Sequence, residues 1–270
     1  FIKMKLKNST FMTIRNIANH LEEIAPLKQA EDFDNVGLLI GDYNTKVTGI
    51  LVTLDTLEET IDEAITKNCN LIVSFHPIIF SGLKKINGNS YVERVVLKAI
   101  KNNIAIYATH TALDNSKVGV SAKMCEVLGL INYKILIPKE ETSIGMGMIG
   151  NLPEPMQEDD FLQYSKMIFN SGGVRFSKKI GRTIQKIAVL GGSGSFAISN
   201  AIQEKADVYI SADFKYHDFF KAEGKILLID VGHYESEQFT KNLLVEYLTK
   251  KFTSFAVILS EKSTNPIYYL

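Results

Sequence analysis

Apolar positions along this chain alternate between two rhythms. Residues 13–25 repeat at helical spacing and stop before Pro26. A turn, DNVG, then leads into the short apolar run GLLI, and a second run, VTGILVTLD, covers 47–55. LEETIDEAITKN returns to helical spacing, CNLIVSFHP is an apolar run closed by Pro77, and YVERVVLKAIKNN is helical again. IAIYATH predicts another strand and VSAKMCEVLGL another helix. The second half repeats this grammar, with strands predicted at KIAVLGG, DVYISAD, KILLIDVG and FAVILSE and helices between them. Short unbroken apolar runs separated by amphipathic helices predict an α/β fold with largely parallel sheets covered on both faces. Between the halves, IPKEETSIGMGMIGNLPEPMQ has the glycine and proline content of a connector. The expected division is a first lobe of 1–135 plus a returning 238–270, and a second lobe of 136–237 entered through a connector at about 137–157.

Composition narrows the class. The 270 residues are enough for two lobes, and the 46% hydrophobic content is that of a globular chain. No run approaches the roughly 18–20 apolar residues of a membrane span, and no signal-like segment opens the chain. Residues 1–11 read as a tag remnant or frayed terminus. Thirty basic and thirty acidic residues give a formal net charge of zero, which argues against a surface that tracks nucleic-acid phosphates. Cys69 and Cys125 lie in apolar surroundings without CxxC spacing, so a cytoplasmic, reducing location is expected.

Candidate chemistry gathers where strands end. Four of the five histidines, His76, His110, His217 and His233, follow strand-like runs; only His20 sits in a helical pattern. In open α/β sheets the carboxyl ends of the strands form the rim where ligands bind. His76 is followed by Pro77 in FHP, and HTALD carries His110 and Asp114, the latter either a ligand or an Asx-turn residue. His233 and Glu237 in GHYESE are four apart at a helix start and share one face. One imidazole and one carboxylate so placed suit a divalent transition ion, although a glutamate there also favours the helix dipole. DFKYHD offers Asp213, Lys215, Tyr216 and His217 as an acid–base or substrate wall, or simply a polar loop. GGSGSF joins a strand to a helix, so Gly192, Ser193 and Gly194 are either an anion site or a tight turn.

Together DNVGLLIGD, LVTLDTLEETIDEAI, FHPIIFSGLKKI, HTALDN, GGSGSF, SADFKYHD and GHYESE resemble the NIF-three-like dinuclear-metal family, whose members are often labelled GTP cyclohydrolase 1 type 2 homologues. The resemblance runs from about Ile14 to Pro266. It implies two similar, intertwined three-layer α/β/α lobes and a toroidal homohexamer. It also implies one or two divalent ions (zinc, manganese or iron) held by His76, Asp114, His233 and Glu237, with His110 beside them. Where the family has the first histidine of a tandem pair, this chain has Phe75, which cannot ligate, so one firm ion is expected and a second that is weaker, differently held or absent. Some members carry an extra domain between the lobes; here the joint near 137–143 is short.

The resulting expectation is a metal-dependent hydrolase of a nucleotide-like or phosphorylated small molecule, with His110 or His217 shuttling a proton and the GGSGSF amides and Lys215 holding an anionic part. The alternative is a metal-stabilised oligomeric scaffold without catalysis.

Overall fold

The computed structural model describes residues 11–140 and 143–270. The reading of residues 1–11 as a tag or frayed end therefore lies, except for Phe11, outside the described residues. Two sheets organise the chain, and each centre is parallel. The first contains β1 (Gly37–Ile40), β2 (Gly49–Thr53), β3 (Leu71–Ser74) and β4 (Ala105–Ala108). The second contains β5 (Ile131–Pro138), β6 (Gly145–Met156), β7 (Arg175–Phe176), β8 (Ile184–Ser193), β9 (Val208–Ala212) and β10 (Leu227–Asp230). A last strand, β11 (Ala256–Leu259), returns to the first sheet beside β2. The orders are β1-β4-β3-β2-β11 and β5-β6-β8-β9-β10-β7. In the first sheet only β1 runs antiparallel; in the second, β8, β9 and β10 are parallel and the strands flanking them are antiparallel.

Pleating explains why the parallel strands read as unbroken apolar runs. Successive side chains point to opposite faces, and both faces are buried. Ile50, Val52, Leu71, Val73 and Tyr107 face α1 (Ile14–Leu21), while Leu51, Ile72 and Ile106 face α2 (Glu58–Thr66) and α3 (Tyr91–Lys101). Each such side chain, fully buried, contributes on the order of 1.5–3 kcal/mol. After β4 come the short α4 (His110–Asp114) and α5 (Val120–Val127), and α6 (Glu158–Ile168) follows β6. Ile187, Val189, Val208, Ile210, Leu227 and Ile229 pack with the α5 and α6 residues Met124, Cys125 and Phe161. Ala188, Leu190, Tyr209 and Leu228 pack on the other face against α7 (Ile198–Gln203).

Two sequence expectations are corrected. The stretch 137–157, read as a connector, instead supplies the end of β5 and all of β6, a long antiparallel hairpin. Its glycines permit close strand approach: a Cβ on Gly150 would stand 2.8 Å from the Tyr133 Cβ, and one on Gly145 would collide with the Ile137 carbonyl. The short joint near 137–143 takes in the end of β5 and part of the link to β6, of which residues 141–142 lie outside the described residues. The lobe boundary also falls earlier than 135, because α5 lies against β6 and β8 of the second sheet. Conversely α8 (His233–Glu237) is followed by α9 (Thr240–Lys251), whose Leu244 and Leu248 enter the first core. The chain therefore crosses between the sheets through α5 and back through α9.

Candidate metal centre

Carboxyl ends of parallel strands from both sheets meet at one place. Asp55 follows β2, His76 follows β3 and His110 follows β4. From the second sheet come Ser193 at the end of β8, Asp213 after β9, and α8 after β10. Gly232 precedes α8 at φ +100°, a turn that starts the helix with His233. The i,i+4 spacing then sets Glu237 Oε2 3.2 Å from His233 Nε2. The same oxygen is 3.1 Å from His76 Nε2.

Each imidazole is aimed by its own carboxylate. His76 Nδ1 is 2.7 Å from Asp55 Oδ1, and His233 Nδ1 is 2.7 Å from Asp213 Oδ2. His110 Nδ1 is 2.8 Å from Asp34 Oδ1, and Asp34 also accepts hydrogen bonds from the Thr111 amide and hydroxyl. A carboxylate on Nδ1 fixes the ring and leaves Nε2 free to ligate. Asp55 is anchored in turn by the Thr264 hydroxyl at 2.6 Å, and Asp213 by the Ser193 hydroxyl. His110 and Asp213 have φ of +25° and +58°, conformations that side chains rarely adopt and that surrounding contacts must sustain.

Electrostatics sharpen the cluster. Burial opposes charge on His76, yet Asp55 and Glu237 outweigh it and hold its pKa at about 10. For His233, burial is outweighed by Asp213 and Glu237, giving about 11. Glu237, almost wholly buried, would be raised by burial, but His233 and His76 hold it at about 2. Burial also works against Asp34, and His110 and Thr111 bring it to about 2. Asp114 has no such partner: burial, then the charge of Glu237, pushes its carboxyl well above the usual range.

The donor set fits a divalent cation. Among the described residues, His76, His233 and Glu237 form the one group whose ligand atoms all lie within 4.8 Å of one another. Ligands at about 2.0–2.2 Å around a tetrahedral ion stand about 3.3 Å apart, close to the spacings here. Glu237 Oε2 is buried and faces the two imidazoles at 3.1 and 3.2 Å without an aligned hydrogen bond, so a cation could take the place of their protons. Two imidazoles plus one carboxylate form a recurrent zinc set with an open position.

The remaining sequence candidates divide. Asp114 and His110 line a cavity of about 330 Å³ together with His233 and Glu237, and Asp114 lies outside the close three-atom group. Phe75 is fully buried in the first core, its ring 4.9 Å from His76 and 5.6 Å from His110, so an apolar ring stands where the sequence resemblance implies a histidine. His217 and Lys215 stand exposed, outside the cavity lining, and His217 packs against Tyr216 and Phe220. The expectation of His217 as an acid–base group and Lys215 as an anion holder is thus not met by geometry, because the turn after β9 sends them outward. Nor do the glycine-loop amides await an anion. Gly192 N donates to Ser236 Oγ at 2.9 Å and Gly194 N to the Ala212 carbonyl at 3.4 Å, and of the three anion candidates Gly192, Ser193 and Gly194 the cavity wall includes Ser193. Gly192 matters for a different reason: a Cβ there would collide with Glu237 Oε1. Asp34 and Asp55 carried no local signal of their roles; their partners are 76 and 21 residues away.

Two α/β sheets with a histidine–carboxylate cluster between their strand ends define the class. The sequence model of the family Duf34/NIF3 (NGG1p interacting factor 3) matches residues 12–266, and the chain belongs to that family. It is 33% identical over 231 residues to a "GTP cyclohydrolase 1 type 2 homolog" of Clostridium acetobutylicum, covering 84% of this chain and 85% of that one. A relative with the same label from Clostridium perfringens is 32% identical over 265 residues, covering 96% of this chain and all of the relative. That end-to-end match means the short joint between the halves is shared. The crystal structure of the Staphylococcus aureus hypothetical protein SA1388 superposes with a TM-score of 0.90 at 30% identity, covering 96% of this chain and 99% of that one.

Proposed function

We propose that this chain binds one divalent cation through His76, His233 and Glu237 and hydrolyses a nucleotide-like small molecule there. The observation that carries the reading is the convergence of two carboxylate-aimed Nε2 atoms on one buried oxygen, Glu237 Oε2. Zinc, manganese or iron suits the mixed nitrogen and oxygen donors. Such an ion supplies Lewis acidity and acidifies a water at neutral pH. His110, on the cavity wall and held by Asp34, moves the proton. Asp114 orients the substrate opposite Glu237. The nucleotide-like class rests on the label shared by the Clostridium relatives.

A scaffold role with a closed structural ion is the second reading. Catalytic ions keep an open coordination position, and the cavity reaching His233 and Glu237 favours catalysis. The ring-shaped homohexamer implied by the sequence resemblance belongs to this proposal and is read by sedimentation. A cytoplasmic location agrees with two buried free thiols, Cys125 being pushed up to about 12 by burial. Among the described residues no helix is long and apolar enough to cross a membrane.

The test is a nucleotide-hydrolysis panel on metal-loaded protein, with His233→Ala and Asp114→Ala as controls. Hydrolysis that chelator and His233→Ala abolish, and Asp114→Ala diminishes, supports the reading. Activity surviving both substitutions undiminished overturns it.

A further inference from the structure

Residues 260–270 follow β11 and belong to no helix or strand, yet they are pinned along their length. Such segments ordinarily run exposed over the surface, but Ser260 and Thr264 are buried. The Ser260 amide donates to the Val52 carbonyl at 2.8 Å. The Ser260 hydroxyl and the Glu261 amide both donate to the Glu63 carboxylate of α2. These bonds fix the start of the segment to the first lobe, whereas its far end lies on the second. The Tyr269 ring packs on Gly172 and Gly173, between α6 and β7, so closely that a Cβ on Gly172 would collide with it. The Tyr269 hydroxyl reaches Gly232, the residue before α8, where a Cβ would stand 3.3 Å from it. Between these anchors, two consecutive residues touch the two halves of the histidine–carboxylate cluster. The Thr264 hydroxyl donates to Asp55 Oδ2 at 2.6 Å, while Asp55 Oδ1 holds His76 Nδ1 at 2.7 Å. Asn265 Nδ2 donates to Glu235 Oε1 at 2.9 Å, and Glu235 lies in α8 between His233 and Glu237.

We infer that residues 260–270 are a strap that sets the spacing between the two halves of the cation site, with Thr264 and Asn265 as positioning residues. The inference rests on the proposed site at His76, His233 and Glu237. Those side chains come from different lobes, and affinity for an ion depends on holding them at ligating distance before it arrives. Thr264 acts through Asp55. Without the hydroxyl, Asp55 Oδ2 loses its partner and the carboxylate is free to rotate. His76 then loses the fixed acceptor that turns its Nε2 toward Glu237. Asn265 acts through Glu235, and so on the placement of α8 with both of its ligands. Thr264 and Pro266 also line a cavity of about 400 Å³ together with Asp55 and His76. Displacing the strap would therefore widen the space beside this pair as well as release it.

The experiment uses the full chain and measures zinc affinity by chelator competition at one pH, with far-UV circular dichroism on the same samples. Thr264→Val keeps the shape of the side chain and removes the hydroxyl; it should weaken zinc binding about 10-fold, and Thr264→Ser should bind like wild type. Asn265→Ala, which reaches the cluster from the other lobe, should also weaken binding about 10-fold. Asp55→Asn should cost about 10–100-fold, and adding Thr264→Val to it should cost no more than about 2-fold further, because both changes release the same imidazole. A purely structural role for Thr264 would instead add its full loss to that of Asp55→Asn. The inference is overturned if either Thr264→Val or Asn265→Ala, folded by circular dichroism, binds zinc like wild type. It is equally overturned if Thr264→Ser is as weak as Thr264→Val, or if the Thr264 and Asp55 changes are additive. Wild-type protein that binds no zinc would overturn the proposed function and the strap with it, whereas zinc-binding wild type with unaffected variants overturns the strap alone.

Discussion

At the scale of single residues, the centre consists of histidine–carboxylate pairs, and their protonation sets the terms of metal binding. His76 and His233 have folded pKa values of about 10 and 11, above the ordinary 6.5. In the metal-free protein, their pairing with Glu237 stabilises the fold in full below about pH 6.5. That contribution declines above this value and is gone beyond about pH 11. Glu237, lowered from 4.5 to about 2, contributes in full above about pH 4.5 and loses its share as pH falls from there through about 2. A cation must displace the protons on both imidazoles, so apparent affinity should rise with pH, by up to about tenfold per displaced proton per pH unit. Chelator competition at about pH 6, 7 and 8 checks this, and a flat profile would contradict it. Asp213→Asn, which removes the acceptor that aims His233, should lower affinity about 10–100-fold. Three of the four strand-end histidines were legible because strand ends face one rim. His217 misled because the turn after β9 carries it outward, and Asp34 and Asp55 were invisible because their partners are distant in sequence.

At the scale of elements, β8 and α8 form the wall that positions Glu237. Gly192 has φ +68°, and its missing Cβ leaves room for the Glu237 carboxylate. Gly192→Ala should therefore displace Glu237 and empty the cation site while the sheet remains paired. Metal content falling with circular dichroism unchanged is the expected reading; full metal retention would show that the wall is not tight. The helices and parallel strands were legible from their periods, since both faces of β2, β3, β9 and β10 are buried. The β5–β6 hairpin was not. Its glycines carry the same letters as a flexible joint but serve close strand approach, and sequence alone does not separate the two uses.

At the scale of the whole molecule, the proposed cation ligands come from both sheets, with His76 after β3 of the first and His233 and Glu237 after β10 of the second. An ion there would tie the lobes together, and its binding to the folded state alone would stabilise that state by mass action. At a free ion concentration of about 100 times Kd, the gain of about 2.7 kcal/mol should raise Tm by about 5–10 °C, reversed by chelator. Unchanged melting with and without ion would deny that link. The crossings through α5 and α9 were the least legible feature, because a helix that leaves its own lobe has the same period as one that stays.

The proposed site on His76, His233 and Glu237 would hold one divalent ion per chain. Anomalous scattering from crystals of metal-loaded protein tests it most directly. A single peak per chain between those three side chains, absent in Glu237→Gln, is expected. A second peak of equal strength beside Phe75 and Asp114, or no peak at the cluster, would contradict it.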